Sequence, residues 1–446
     1  MSSDITISQI VNVALFGATL LGLGSLLGVQ LARSSEQPEV SDEENRTLAP
    51  LPTVSGAAIL DGTFMTGVDE WIADHFAGRQ QFMDLHFWLE AHRGFHSEDE
   101  VAFYAVEIDT DAELEPLEDD GVMAELELEP LSDEALALLD EPDEPEQTDE
   151  PAEPSSIVKT GGILVADGRA MQLFVGGPKG SRSYAKVLNQ YADALRGKAT
   201  VYSLIVPTAQ TFYLPKSYEG RVRHEPPNIR ATSAMLDPSV VRVDVVDALL
   251  GHEGEYIYFR TDHHWTARGA YYAYTAFCQA AGFQPIPLES MESGTISPFR
   301  GSLYRYTRDQ KLHRQPDHVE YWVPPVEITV ARGSKGTPKP DAIIRRESKG
   351  YGAFLGGDHA LLIARTQNNS GRRGLVIKNS YGNPFAVFLA AHYDTLLIVD
   401  YRKFDGSVLE LVDEYQITDL IILNGAITSN AKPHIARLAR LLKGGD

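Results

Sequence analysis

Four short runs toward the carboxyl terminus, Leu361–Arg365, 374–378, Thr395–Asp400 and 420–423, are apolar at nearly every position and are separated by segments of helical or loop character. A strand that is apolar throughout, and not only at alternate positions, has to be covered on both faces. Strands alternating with helices then call for a sheet whose neighbours run the same way, joined by crossovers on its two sides. The fold class expected is therefore α/β, a largely parallel sheet flanked by helices. The same alternation begins near residue 157. A helix is expected over 184–195, closed by Gly197, followed by a buried strand Thr200–Val206 that ends in Pro207-Thr208. Short extended segments are expected over 241–250 and 255–259, and Thr266 is placed to cap a helix that ends at Gly282.

The formal net charge of −24 belongs to one segment. No Lys or Arg occurs between Arg93 and Lys159, where 24 of the 63 acidic residues lie, which leaves 39 acids against 39 bases elsewhere. Like-charge repulsion and many prolines make 107–155 a solvated, disordered acidic insertion. It contains no glycine turn of the kind that cages calcium. The balanced remainder has no Lys/Arg cluster interleaved with aromatics, which argues against nucleic acid as a partner.

At the other end, 10–32 is almost free of charge and long enough to cross a bilayer as a helix. The start Met-Ser-Ser-Asp lacks the basic region of a signal peptide and the apolar run exceeds a signal core, which favours a retained membrane anchor. The expected organisation is a transmembrane anchor over 1–36, a linker and accessory helix packing on the catalytic domain over 37–106, the acidic insertion over 107–155, and a catalytic domain over 156–446. In the accessory helix, Asp74-His75 lies among aromatics, where a structural role outweighs a catalytic one. The single Cys278 can make no internal disulfide.

The stretch Thr261-Asp262-His263-His264-Trp265-Thr266 carries a carboxylate and two imidazoles just before a helix, and Asn379-Ser380-Tyr381-Gly382 follows downstream. In extended chain alternate residues share a side, so Asp262 is expected to buttress His264 while His263 points the other way. His264 is then free to take a proton from Ser380, which sits where a strand breaks into a turn and a helix. Open α/β sheets place their chemistry at such carboxyl ends. Oxyanion and substrate contacts are expected from the Ser380 amide, with Asn424, Arg300 and Tyr381 as further candidates beside their plainer readings as turn former and packing. Trp265 reads as packing under the histidine. The rival use of Asp262, His263 and His264, with Asp358-His359, is metal binding, but no His-Glu-x-x-His helix occurs and no metal or cofactor is expected. The run Gly176-Gly177-Pro178-Lys179-Gly180 lacks the ending of a phosphate loop and reads as a turn.

The strings TDHHWT (261–266) and KNSYGNPF (378–385) resemble the DHHW protein family, relatives of the bacterial alginate O-acetylation proteins within the SGNH hydrolase superfamily. Further matching segments are 43–48, WIADHFAGR (71–79), FRGS (299–302) and LIVDYR (397–402). The resemblance implies an SGNH hydrolase-like fold, a triad of Asp262, His264 and Ser380, and a catalytic domain outside the cytoplasm. The order Asp, His, Ser departs from ordinary members of the superfamily, although a triad is defined by geometry and not by order. The superfamily's Gly-Asp-Ser is replaced by Lys378-Asn379-Ser380, which leaves the oxyanion donors open. The expected function is an extracytoplasmic O-acyltransferase, with acetyl the foremost acyl group, acting on a cell-surface or secreted polysaccharide. A multipass membrane acyltransferase is implied as the partner that supplies the acyl group. Water as acceptor would make the same residues a carbohydrate esterase or deacetylase, and a glycan-binding scaffold without turnover is the non-enzymatic alternative.

Overall fold

The computed structural model describes residues 46–76, 101–106, 161–333 and 339–444, with 40–41 and scattered positions between 15 and 89. The acidic insertion lies outside the described residues, as does most of the expected anchor; among the described residues no helix is long and apolar enough to cross a membrane. The contacts divide the chain into two bodies.

In the smaller body the helix Thr63–His75 brings Gly67 against the Pro52 ring. Asp74 Oδ2 accepts the Ala49 amide at 2.8 Å, and His75 Nδ1 donates to the Trp71 carbonyl at 3.0 Å while its ring stacks on Trp71. Both members of the Asp74-His75 pair are therefore held by local structural bonds.

The larger body is built on an eight-stranded sheet, whose strands are numbered here β1 (Thr200–Val206), β2 (Val241–Val243), β3 (Thr329–Arg332), β4 (Lys339–Asp341), β5 (Leu361–Arg365), β6 (Arg373–Lys378), β7 (Thr395–Asp400) and β8 (Asp419–Gly425). Across the sheet the order is β4-β3-β5-β7-β6-β8-β1-β2. The run from β7 to β2 is parallel, as expected, whereas β5, β3 and β4 continue antiparallel. Within this edge, β3 and β4 are joined by a link too short for a crossover, so these two strands run antiparallel.

Period-two alternation sorts the apolar strand residues into two layers. Val376, Ile398, Ile421 and Leu423 face the helices Ala267–Ala281 and Gly382–Leu389. Leu375, Ile377, Leu397, Val399, Leu420 and Ile422 face Pro178–Ala194, Val408–Tyr415 and Lys432–Lys443. Truncating one such leucine or isoleucine to alanine typically costs about 2–5 kcal/mol, because the void is only partly refilled.

Thr266 caps the helix Ala267–Ala281 by accepting the Gly269 amide, and Gly282 ends it at φ 75°. The extended reading of 241–250 fails after Val243: Asp244 accepts the Asp247 amide and starts a short helix, Val245–Leu249. Residues 255–259 form no strand, only a bridge between Tyr258 and Trp265. Ala102–Tyr104, grouped by sequence with the accessory region, pairs with Ile163–Ala166 in the larger body.

Candidate active site

Strand β6 lies between β7 and β8, and it ends at Lys378. The chain then turns: Gly382 N donates to the Asn379 carbonyl at 2.9 Å and Asn383 N to the Ser380 carbonyl at 3.1 Å, which opens the helix Gly382–Leu389. Ser380 is thereby held at the carboxyl edge of the parallel strands, and it is 5% exposed.

The second arm reaches this point by an irregular hairpin. Thr266 N donates to the Ile257 carbonyl at 2.9 Å and Phe259 N to the His264 carbonyl at 3.3 Å, leaving 260–263 as the tip. Asp317 replaces the missing backbone ladder there. Its Oδ2 accepts the amides of Arg260 and Thr261 and the Thr261 hydroxyl, while its Oδ1 accepts the Tyr256 hydroxyl and Arg260 Nε.

The two arms bring the expected residues together. Asp262 Oδ1 accepts His264 Nδ1 at 2.6 Å and the His264 amide at 2.9 Å, and His264 Nε2 stands 2.7 Å from Ser380 Oγ. With Nδ1–H committed to the carboxylate, Nε2 is the acceptor for the serine hydroxyl. Asp262 Oδ2 accepts the Ser302 amide at 2.7 Å. A side chain at Gly301 would overlap Asp262 Cβ and Oδ2, so only glycine lets that loop close over the carboxylate. Burial pulls Asp262 up, but the imidazoles of His264 and His263 and the bonds it accepts hold it well below the usual carboxylate range.

His263 does not point away. The tip is bent, not extended, so alternation does not apply, and the rings of His263 and His264 lie 3.7 Å apart. His263 Nδ1 meets Ser302 Oγ at 2.6 Å, and burial together with the neighbouring His264 presses its pKa down to about 3. On its other face His264 stacks on Tyr351 at 4.0 Å and 9°. Tyr351 in turn donates its hydroxyl to the Ser380 carbonyl at 2.9 Å. The imidazole is thus clamped between two rings with both nitrogens in use.

Two further bonds tie the arms to each other: Trp265 Nε1 donates to the Tyr381 carbonyl at 2.9 Å, and Tyr381 donates its hydroxyl to the His263 carbonyl at 2.6 Å. Trp265 is fully buried with its ring edge-on to Tyr381, and this bond makes it a strut.

Among the described residues, ligand atoms of Asp262, His263 and His264 come within 4.8 Å of one another. Of these atoms, Asp262 Oδ1 and His264 Nδ1 are hydrogen-bonded to each other and His263 Nδ1 is engaged by Ser302.

The family model described as DHHW protein matches residues 141–399, more than half of the chain. The chain belongs to the DHHW protein family. A DHHW family protein from Eubacterium siraeum aligns with it at 28% identity and a TM-score of 0.59, over 65% of this chain and 97% of that one. Bacillus cereus PatB1, in a structure carrying a sulfonyl adduct, aligns at 16% identity and a TM-score of 0.53, over 62% of this chain and 99% of that one, and shares the fold. No curated protein matches the sequence.

For this DHHW chain three further candidates meet structural partners: Asn424 in the opposite layer, Arg300 on a backbone carbonyl, and Tyr381 within the site, its ring edge-on to His264. Asn424 follows Leu420 and Ile422 in register, so its side chain enters the opposite layer, where Nδ2 donates to the Tyr184 hydroxyl at 3.0 Å. Register, not nearness of strand ends, removes it from Ser380. Arg300 spends Nε and a terminal nitrogen on the His313 carbonyl. Tyr381 is buried, with its ring beside Gly425 and its hydroxyl on His263, and offers no face to a sugar. The roles of Tyr351, Ser302 and Asp317 were not expected from the sequence, although Ser302 closes the FRGS segment (299–302).

Proposed function

We propose that the DHHW domain is a serine-dependent O-acyltransferase, acetyl being the group moved, whose acceptor is a hydroxyl of a cell-surface or secreted polysaccharide. The observation that carries the reading is the hydrogen-bonded chain from Asp262 through His264 to Ser380. A neutral serine is a poor nucleophile, and a base aligned on its hydroxyl removes the proton as the oxygen attacks. In the first half-reaction Ser380 Oγ bonds to the donor's carbonyl carbon, its proton passes to His264 Nε2, and Asp262 stabilises the imidazolium that forms. Collapse of the tetrahedral intermediate breaks the bond to the leaving oxygen, which takes the proton back from His264. In the second half-reaction a sugar hydroxyl gives its proton to His264 and attacks the acyl carbon; the acyl–Oγ bond breaks and Ser380 Oγ takes the proton back from His264. The Ser380 amide is the natural first donor to the oxyanion.

The apolar run 10–32 supports an anchor, and the family resemblance supports an extracytoplasmic placement and a multipass membrane acyltransferase as acyl source; all three are part of the proposal. A purified ectodomain with a chromogenic acetyl ester tests it. A burst of chromophore is expected that disappears in Ser380→Ala and in His264→Ala, with a loss on the order of 10⁴-fold. Oligosaccharide acceptors that gain the mass of one acetyl group then mark a transferase, and release of acetate alone marks an esterase. Equal turnover by wild type and Ser380→Ala would refute the reading.

A further inference from the structure

Beneath the nucleophile lies a group of charges that the proposed chemistry does not use. Lys378 Nζ bonds Asp358 Oδ1 and Asp400 Oδ2, each at 2.8 Å; Arg402 bonds Asp358 Oδ2 at 2.8 Å and Asp400 Oδ2 at 2.7 Å. All four side chains are at most 5% exposed. Two cations and two anions cancel; opposite charge outweighs burial at Lys378, held above its usual range, and at Asp358, held below its own, whereas burial prevails at Asp400, raised to about 6, and at Arg402, lowered to about 9. Stability does not demand such a group, since apolar side chains of similar volume commonly serve as well or better.

Its placement is informative. Asp358 Oδ1 accepts from Lys378 Nζ and also from Asn383 Nδ2 at 2.9 Å. Lys378 comes two residues before Ser380 and Asn383 three after it, so one carboxylate oxygen grips the chain on both sides of the nucleophile. Gly382 lies against the Lys378 stem, where a Cβ would approach Lys378 Cβ to 2.5 Å, so the turn is pressed onto the charged platform. Asn383 is fully buried and its Oδ1 has no partner. For stability alone an apolar residue would serve better there than an amide with an orphaned oxygen. What the amide supplies is its donor to Asp358.

Resting on the acyl-transfer reading above, we infer that Asp358 is a positioning residue for Ser380, clamping the nucleophile turn from both sides so that Oγ stands at hydrogen-bond distance from His264. The residue acts through Lys378 and Asn383 and touches no reacting atom.

The test uses three variants of the full chain. Asn383→Ala removes one arm of the clamp and the orphaned oxygen while leaving the ion group intact; Asp358→Asn keeps size and an acceptor but removes the charge. Asp419→Asn, which disturbs the buried partner of Arg372 at the far end of β8, is the control for losing a buried charge. Two readouts are taken: the Ser380 Oγ to His264 Nε2 distance in crystals, and the rate at which phenylmethanesulfonyl fluoride captures Ser380. In Asp358→Asn the distance is expected to open beyond hydrogen-bond reach and capture to slow by roughly tenfold or more, since small misplacements of reacting groups cost that much. Asn383→Ala is expected to slow capture by roughly threefold with Tm within about 2 °C of wild type, and KM for an acetyl ester is expected to hold while kcat falls. An unchanged 2.7 Å contact in both site variants, or equal slowing by Asp358→Asn and Asp419→Asn, would overturn the inference. The distance is read without turnover, so it decides the clamp even if sulfonylation proves independent of Ser380, a result that would count against the acyl reading alone.

Discussion

Ser380 stands at the end of a strand paired on both sides by parallel neighbours, whereas Asp262 and His264 stand at the tip of a hairpin with almost no backbone ladder. The first arm is placed by strand register and by two apolar layers. The second is placed by side chains: Asp317 holds the tip, Ser302 holds the carboxylate, and Tyr351 and His263 hold the imidazole. A site assembled this way should respond very differently to small changes in its two halves.

The largest asymmetry is expected from Asp317→Ala set against Ile377→Val. Removing a buried carboxylate that accepts five donors leaves them unpaired and should cost about 3–5 kcal/mol, with ester turnover falling alongside. Ile377→Val in β6 should cost about 1 kcal/mol and leave turnover near wild type. Chemical denaturation with the ester assay reads both, and equal effects would erase the contrast.

Gly301→Ala should come next, with turnover reduced roughly 10²-fold because the new methyl must push Asp262 aside. A crystal structure of this variant should show the Asp262–His264 bond displaced while Ser380 stays in place. Motion of Ser380 instead would mean that the arms are not independent.

Tyr351 links the arms, so its two contacts can be separated. Tyr351→Phe keeps the ring on His264 and loses the bond to the Ser380 carbonyl, with an expected cost of about 1 kcal/mol in stability and a several-fold loss of kcat. Tyr351→Leu loses both and should fall further. Identical kinetics for the two variants would show that stacking contributes nothing.

Near neutral pH the smallest effect expected is that of the buried histidines on acid stability. His263 is depressed to about 3, and His359 and His392 to about 4, in each case chiefly by burial. The unfolded chain binds these protons near the ordinary histidine value of 6.5 and the folded chain does not. Their contribution to stability is therefore complete above pH 6.5 and is lost as pH falls toward about 4. Urea midpoints measured across that window should decline, and His392→Gln should flatten the slope. A midpoint that rises on acidification would contradict the sign.

The same division explains what could be read from the sequence. Continuous apolar runs announced the parallel strands and the turn at Ser380, because register and burial leave a strong one-dimensional pattern. The pairing of Asp262 with His264 was legible too, but for the wrong geometric reason: the tip is bent, and the carboxylate reaches both the ring and the amide of His264 by curling back. Asp317 and Tyr351 left no trace, and Ser302 showed only as part of FRGS with no role attached, since each is an ordinary residue whose role exists only after distant segments meet. Asn424 misled because strand order was weighed without the alternation of faces that sends it toward Tyr184. The antiparallel edge was missed because Leu361–Arg365 is as apolar as the parallel strands, and an apolar pattern does not carry strand direction.

The most direct measurement is trapping of the acyl-enzyme. Wild type mixed with a chromogenic acetyl ester and quenched within the burst should carry one added acetyl group, mapped by peptide mass to Ser380, and His264→Ala should carry none. An acetyl group on another residue, or labelling of Ser380 that survives loss of His264, would contradict the account.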